Sequence, residues 1–198
     1  MLISKYITNL LVINNIIPME KKELYLYHIY MKLSKFAFII ISLLISNIYF
    51  DIIDSLVFLY VFLQIRSLSG GFHLNNSFLC FISSILLIIS GNIIASNIIS
   101  VFDSFLSRII LFLLSLIICH ISVYMAPINH PNLKLSLKEA LALKQKLKIV
   151  IARISIISTI LLIFNSDYFI VIQTAITFNF LLMIAAKAFR QETKLIIK

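Results

Sequence analysis

A histidine, a cysteine and two adjacent glycines occur close together in one short stretch of an otherwise apolar chain. The stretch begins at Arg66, continues through Gly70 and Gly71 to His73, and reaches Cys80 at the start of the next apolar run. An imidazole that removes the proton from a thiol is a general way to activate a cysteine nucleophile. The sequence therefore predicts an active site in which Cys80 is the nucleophile and His73 is its base.

Cys80 lies where a thiolate would be stabilised. Ser77 is predicted to be the N-cap of a helix, which makes Cys80 the third residue of that helix. The partial positive charge at a helix N-terminus stabilises the thiolate, the nucleophilic form of cysteine. Cys119 lies instead in the apolar run Leu-Leu-Ser-Leu-Ile-Ile-Cys-His-Ile, where burial favours the unreactive thiol. These different settings argue against a disulfide between the two cysteines and predict that at least one of them is a free thiol.

The spacing between His73 and Cys80 places a condition on the backbone. On a continuous helix the two residues would share a face but lie ~10.5 Å apart along the axis, too far for proton transfer. The helix must therefore be interrupted, and glycine and asparagine pairs favour the necessary turns. Either asparagine could orient the imidazole ring, and the arginine could equally be a topology anchor at the lipid headgroups. The residues predicted to support the loop are Arg66, Gly70, Gly71, Asn75, Asn76 and Ser77.

Composition predicts an all-α, polytopic membrane protein. Hydrophobic residues make up 61% of the 198-residue chain, and the polar breaks leave no room for a separate soluble domain. Residues 1–198 are therefore interpreted as one integral membrane domain surrounded by lipid. The net charge of +9 does not indicate nucleic-acid binding, because the basic residues form no face with interleaved aromatics. No residue pattern indicates a metal site or a cofactor.

Six transmembrane helices are predicted, preceded by an amphipathic helix that lies in the membrane interface within residues 1–30. Pro18 would end that helix, and a seventh short span or a disordered lead-in is the alternative for this region. The segment 52–65 is the weakest span, because Asp54 and Gln64 make a re-entrant segment an alternative there. The predicted spans are 33–50, 52–65, 77–97, 101–123, 149–165 and 167–187.

The basic residues are predicted to lie on one side of the membrane. If all six segments cross, that side holds the N-terminal segment, the loop with Arg66, the lysine-rich loop and the C-terminal tail. Every basic residue except Arg108 and Arg153 falls there, so the positive-inside rule makes that side cytoplasmic. If 52–65 did not cross, the lysine-rich loop would lie outside, which violates the rule. Charge therefore predicts six spans with both termini and the loop from Arg66 to Cys80 in the cytoplasm.

The lysine-rich loop has more charge than a topology signal requires. Five lysines occur within residues 134–148, with Glu139 as the one acid among them. Such a surface would attract an acidic peptide tail, although a solvated positive-inside loop explains it equally well. The candidate tail-binding residues are Lys134, Lys138, Lys144, Lys146 and Lys148.

Two non-enzymatic functions also fit this composition. A small transporter or channel would need a polar path through the membrane, and the predicted spans have few central charges. A membrane scaffold whose His–Cys loop is inactive is the second alternative. The presence of both His73 and Cys80 favours an enzyme over a scaffold.

The pattern Arg-x-x-x-Gly-Gly-x-His-x-x-x-x-x-x-Cys on a six-span chain resembles the accessory gene regulator protein B (AgrB) family. The run Met125-Ala-Pro-Ile-Asn-His-Pro131, followed by lysines, is similar to the proline-containing fourth loop of that family. The resemblance covers essentially the whole chain. Its most specific part is the His–Cys loop, whereas the rest is mostly hydropathy.

This resemblance implies a membrane cysteine endopeptidase of Gram-positive bacteria with His73 and Cys80 as the catalytic pair. Its substrate would be a short pro-peptide of the AgrD type that acts in quorum sensing and virulence regulation. Cleavage would leave the peptide as a thioester on Cys80, and an internal thiol or hydroxyl would release a macrocyclic thiolactone or lactone. The oligomeric state, a homodimer included, is left open.

Overall fold

A computed structural model describes residues 2–48, 51–72, 77–128 and 135–189, without the side chains of Leu2, Ser77 and Phe78. These ranges contain seven α-helices and a short 3₁₀ turn at Met19–Lys21, and no β-strand. The all-α prediction is confirmed. The helices are α1 (Leu2–Ile13), α2 (Lys22–Ser46), α3 (Ile52–Ser69), α4 (Ser77–Val101), α5 (Phe105–Met125), α6 (Leu137–Ile163) and α7 (Tyr168–Ala188).

Five segments of the described chain are long and apolar enough to cross a membrane, which supports the polytopic prediction. The sixth predicted span, 149–165, is the apolar end of α6. This helix is long enough to cross a membrane, but it is not among the five segments because of its charged residues. An 18-residue stretch that ends at Ile163 includes Lys146, Lys148 and Arg153, so it has more charge than the other five. The five segments are Met19–Ser46, Ile52–Ser69, Leu79–Val101, Phe105–Met125 and Tyr168–Ala188.

Residues 1–45 form one compact unit, and its helix boundaries differ from the predicted ones. The chain leaves α1 at Ile13, and Pro18 precedes the 3₁₀ turn as a residue of extended backbone. From Lys22 onward α2 is continuous, so it begins eleven residues before the predicted start at 33. The boundary was wrong because charged residues in the first turns of a helix hide its start from hydropathy. That α1 lies in the membrane interface stays a prediction.

Residues 46–198 form the second unit, and α7 is its central helix. Every residue of α7 from Phe169 to Ile176 is buried, and the helix packs against α3, α4, α5 and α6. The buried face of α3 includes Phe58 and Phe62, whose rings stack with centroids 5.9 Å apart. The segment 52–65, which was predicted to be the weakest span, is therefore part of a complete helix in the core of this unit.

Gly91 on α4 faces the Phe58 ring of α3. A Cβ atom at position 91 would overlap that ring, so the absence of a side chain allows the two helices to approach closely. Phe58 is fully buried and also makes an edge contact with Phe178, with ring centroids 6.0 Å apart. The pairing of a glycine with a phenylalanine thus fixes the spacing of α3 and α4.

At the end of this unit where α3 begins, Arg108 joins two inter-helix turns. Its guanidinium group donates hydrogen bonds to the carbonyl oxygens of Phe102 at 3.0 Å and Asn165 at 2.9 Å. It also forms a salt bridge with Asp167 at 2.7 Å. Arg108 is only 2% exposed, so these partners replace the water that a buried cation requires.

Candidate active site

The predicted loop begins where two glycines end α3. The amide of Gly70 donates to the carbonyl of Arg66, and Gly70 and Gly71 have φ angles of +70° and +140°. These conformations strain other residues, and space is also limited. A Cβ atom on Gly70 would lie 2.7 Å from the carbonyl oxygen of Ile128, and one on Gly71 would overlap the Arg66 guanidinium. Both the backbone and the packing therefore require glycine here.

Arg66 lies across this loop. Its guanidinium donates one hydrogen bond to the carbonyl of Gly70 at 3.1 Å and a second to the carbonyl of Phe72. Hydrogen bonds from a charged donor are stronger than neutral ones, so the side chain fixes the backbone as far as the residue before His73. Sequence had left open whether Arg66 supports the loop or anchors the helix at headgroups. In the structure its two hydrogen bonds are made to the loop.

Two further hydrogen bonds attach the loop to distant parts of the chain. The amide of Ile128 donates to the carbonyl of Ser69 at 2.9 Å, and the amide of Phe72 donates to the carbonyl of Leu182 at 3.0 Å. The Phe72 ring also contacts that of Phe189, with centroids 5.3 Å apart. The glycine motif and the Met125-Ala-Pro-Ile motif are thus joined through their backbones. Nothing in the sequence indicated that these two motifs are in contact.

Cys80 lies in the first turn of α4 and is half-buried. Ser77 is itself helical, so Cys80 is the fourth residue of the helix and not the third after a Ser77 cap. This one-residue shift corrects the predicted capping, but the thiol stays within the turn where the helix charge acts. The carbonyl of Cys80 accepts hydrogen bonds from the hydroxyls of Ser83 at 3.0 Å and Ser84 at 2.8 Å.

Arg66 and Cys80 are close enough to interact electrostatically. Arg66 from α3 and the N-terminus of α4 both bring positive charge near Cys80. The ends of α3 and α4 thus place the Arg66 guanidinium and the Cys80 thiol at one end of the second unit. Sequence reasoning did not find this pairing, although both residues belong to the same motif.

His73, Asn75 and Asn76 lie outside the described residues, as does the side chain of Ser77. The distance from the imidazole to the thiol therefore stays a prediction, together with the fold-back that it requires. The described backbone on either side agrees with an interrupted helix, because α3 ends at Ser69 and residues 70–72 are not helical.

The second cysteine has a different environment. Cys119 is buried in α5, and both cysteines are free thiols. Within residues 2–48, 51–72, 77–128 and 135–189, no three His, Cys, Asp or Glu side chains come close enough together to hold a metal ion. Of the two thiols, Cys80 is the more accessible.

The predicted tail-binding lysines divide into different roles on α6. Lys138, Lys146 and Lys148 are exposed, whereas Lys134 lies outside the described residues. Lys144 donates to the carbonyl of Tyr124 at 3.1 Å, and its ammonium group lies 5.7 Å from the centre of the Tyr124 ring. Lys144 thus connects α6 to the end of α5, which makes it the least suitable of the five for an acidic tail.

The start of α6 is fixed by a capping box. The Ser136 hydroxyl accepts from the amide of Glu139, and the Glu139 carboxylate accepts from the amide of Ser136. Ala140, Leu147 and Ile154 form its buried face, so the exposed lysines project from the other sides. The single acid of the lysine-rich segment is therefore used for capping.

Comparison with known proteins gives one match. The family model described as accessory gene regulator B matches residues 4–186, nearly the whole chain. Comparisons with curated proteins and with solved structures find no match. The matched range includes the loop from Arg66 to Cys80 and all five candidate lysines.

Proposed function

Because the chain belongs to the accessory gene regulator B family, whose members process the AgrD quorum-sensing peptide, we propose that it is a membrane-embedded cysteine endopeptidase. Its substrate is a pro-peptide of the AgrD type, from which it removes the C-terminal part. The observation that carries this proposal is the pair of hydrogen bonds by which Arg66 fixes the backbone next to His73, in the loop that leads to Cys80.

In the proposed first step, the Cys80 thiolate attacks a backbone carbonyl near the end of the pro-peptide. A carbon–sulfur bond forms, the carbon–nitrogen bond breaks, and the leaving amine takes a proton from His73. The upstream peptide stays on Cys80 as a thioester. Arg66 supports this step because its charge stabilises the attacking thiolate and its hydrogen bonds limit the motion of the loop.

In the proposed second step, a thiol or hydroxyl within the bound peptide attacks the thioester. His73 accepts its proton, a new ester or thioester bond closes the ring, and Cys80 leaves as a thiolate. Exchange of one thioester for another is nearly isoenergetic, so the enzyme must mainly exclude water and hold the nucleophile close. A site at the end of a helix bundle in the membrane meets both needs.

The proposed orientation follows from charge. Both termini, the loop from Arg66 to Cys80 and the lysine-bearing start of α6 lie in the cytoplasm, and the apolar end of α6 is the sixth crossing. The chain lies in the cell membrane of a Gram-positive bacterium. On the cytoplasmic side Lys138, Lys146 and Lys148 attract the acidic tail of the pro-peptide. The same orientation makes a reduced Cys80 available.

Co-expression with the neighbouring short open reading frame, followed by mass analysis of the peptide, tests the catalytic proposal. We expect wild type and Cys119→Ala to cleave the peptide, and Cys80→Ala and His73→Ala to lose at least ~1000-fold in rate. A peptide without its internal nucleophile should accumulate as a hydroxylamine-sensitive adduct on Cys80. Processing by Cys80→Ala would refute the mechanism and favour a transporter or scaffold.

A second experiment tests the role of the lysines. Replacement of Lys138, Lys146 and Lys148 together by glutamate should slow cleavage of an acidic-tailed peptide by ~10-fold, because the attraction becomes repulsion. The same variant should cleave a peptide with a neutralised tail at the wild-type rate, which controls for folding. Equal slowing of both peptides would contradict tail recognition.

A further inference from the structure

A small cavity with polar and apolar walls lies between α3, α4 and α7, towards the end of these helices that is opposite the Arg66 loop. Its volume is about 20 Å³, which is room for one guest the size of a water molecule. Three of its lining residues are polar and three are apolar, so the guest would contact both kinds of surface. They are Asp54, Asn92, Ser96, Ala95, Ile99 and Val171.

Asn92 lines the cavity, and no group in the described part of the chain forms a hydrogen bond with one of its buried polar atoms. The residue is 3% exposed, and its Nδ2 atom donates to the Ser55 hydroxyl at 3.3 Å. Its Oδ1 atom is buried and accepts no hydrogen bond from the part of the chain that the structure describes. Such an atom carries the full cost of desolvation unless a guest supplies a positive or donor group.

The other two polar residues also present oxygen atoms. Asp54 is a carboxylate in the first turn of α3, half-exposed at the cavity. The Ser96 hydroxyl donates to the carbonyl of Ile93 at 2.9 Å, which leaves its oxygen lone pairs free to accept. The residues that line the cavity therefore include a carboxylate, a buried amide oxygen and an exposed hydroxyl, and each of these groups can act as an acceptor.

We propose that this cavity binds a monovalent cation, with sodium as the ion to test. One carboxylate balances one positive charge, and the two neutral oxygens are ligands of the kind that hard cations choose, so solvent water would supply the remaining ligands. A calcium ion takes 6–8 oxygen ligands and usually several carboxylates, which this cavity does not offer. The bound ion joins α3 to α4, the two helices that carry Arg66 and Cys80 at their other ends.

Thermal unfolding of the full-length protein in nanodiscs of neutral lipid tests the proposal. The midpoint is measured in sodium chloride and in choline chloride at the same ionic strength. A saturable rise of about 5 °C is expected in sodium, which corresponds to a free ion concentration of about ten times the dissociation constant. The rise should vanish in Asp54→Asn and persist in Asp103→Asn, which removes an exposed carboxylate outside the cavity.

Binding of radioactive sodium gives a second readout that does not depend on the stability of a variant. Wild type should retain the ion, unlabelled sodium chloride should displace it, and Asp54→Asn and Asn92→Leu should each reduce retention at least tenfold. Equal midpoints in sodium and choline, with no retained ion, would overturn the proposal and leave water as the guest. A rise that persists in Asp54→Asn would also overturn it, as a general salt effect.

Discussion

Two arginines support opposite ends of the second unit, and their partners differ in kind. Arg108 reaches Asn165 and Asp167, which are 57 and 59 residues away in sequence. Arg66 donates to Gly70 and Phe72, only four and six residues away. The first arginine therefore connects separate helices, whereas the second shapes a single loop.

The balance of charge differs as well. Asp167 neutralises Arg108 directly, while Arg66 has no carboxylate partner among the described residues. Its hydrogen bonds are made to neutral carbonyls, so they leave its positive charge without a neutralising partner at the loop that leads to Cys80. Arg108 is thus a cation that contributes to stability, whereas Arg66 is a cation that can also contribute to catalysis.

Replacement of Arg66 by Met should produce the largest change on the chemical side of this comparison. We expect peptide processing to fall about 100-fold, because a misplaced loop and an unsupported thiolate both raise the barrier. The unfolding free energy should fall by about 2 kcal/mol, the value of hydrogen bonds from a charged donor at a part-buried position. Processing is measured by mass analysis and stability by thermal unfolding in nanodiscs.

Arg66→Lys is the matched control, since it keeps the charge but cannot bridge both carbonyls in the same way. It should recover part of the lost rate. An Arg66→Met protein that unfolds at a much lower temperature yet processes peptide normally would reverse the comparison.

Replacement of Arg108 by Met should mainly affect stability. The change removes the donor for two carbonyls and leaves Asp167 without its partner, which should cost about 3 kcal/mol, or about 8 °C in the unfolding midpoint. Processing per folded molecule should stay within about twofold of wild type. Arg153→Met, at an exposed position of α6, is the control and should show neither effect. A loss of activity at unchanged stability in Arg108→Met would break the distinction.

Asp167→Asn should give the smallest change and so separates charge from hydrogen bonding at that end. Asp167 is 59% exposed, so solvent already screens its attraction to Arg108. The amide oxygen can still accept the hydrogen bond, and we expect a loss of only about 0.5 kcal/mol. The same unfolding measurement, repeated in high salt, should show wild type and variant converging. A loss as large as that of Arg108→Met would mean that the charge itself holds the turns together.

The apolar patterns in the sequence predicted the existence of the helices more accurately than the residues at which they begin and end. The existence of α3 followed from hydropathy and charge parity, although Asp54 and Gln64 made it the weakest span. The start of α2 was placed too late, because Lys22 and Glu23 carry no apolar signal. A boundary depends on local hydrogen bonds, and residue type specifies these only partly.

The candidate site and the residues of its supporting loop were predicted as a set, whereas the contacts that hold this loop to distant parts of the chain were not. The motif from Arg66 to Cys80 identified the loop, and the two glycines correctly indicated a break after α3. The hydrogen bond from Ile128 to Ser69 had no sequence signal, because it joins two backbone groups that every residue has. The same holds for Arg108, whose side chain binds carbonyls that no pattern could single out.

The contact between Gly91 and Phe58 has a consequence for how this family of sequences can vary. A side chain at position 91 would overlap the ring at position 58, which also packs against Phe62 and Phe178, so a smaller residue at position 58 would relieve the overlap. The two positions should therefore covary, with bulk moving from one helix to the other at constant total volume. Alanine at position 91 combined with leucine at position 58 is the double substitution that we expect to preserve the packing of the two helices.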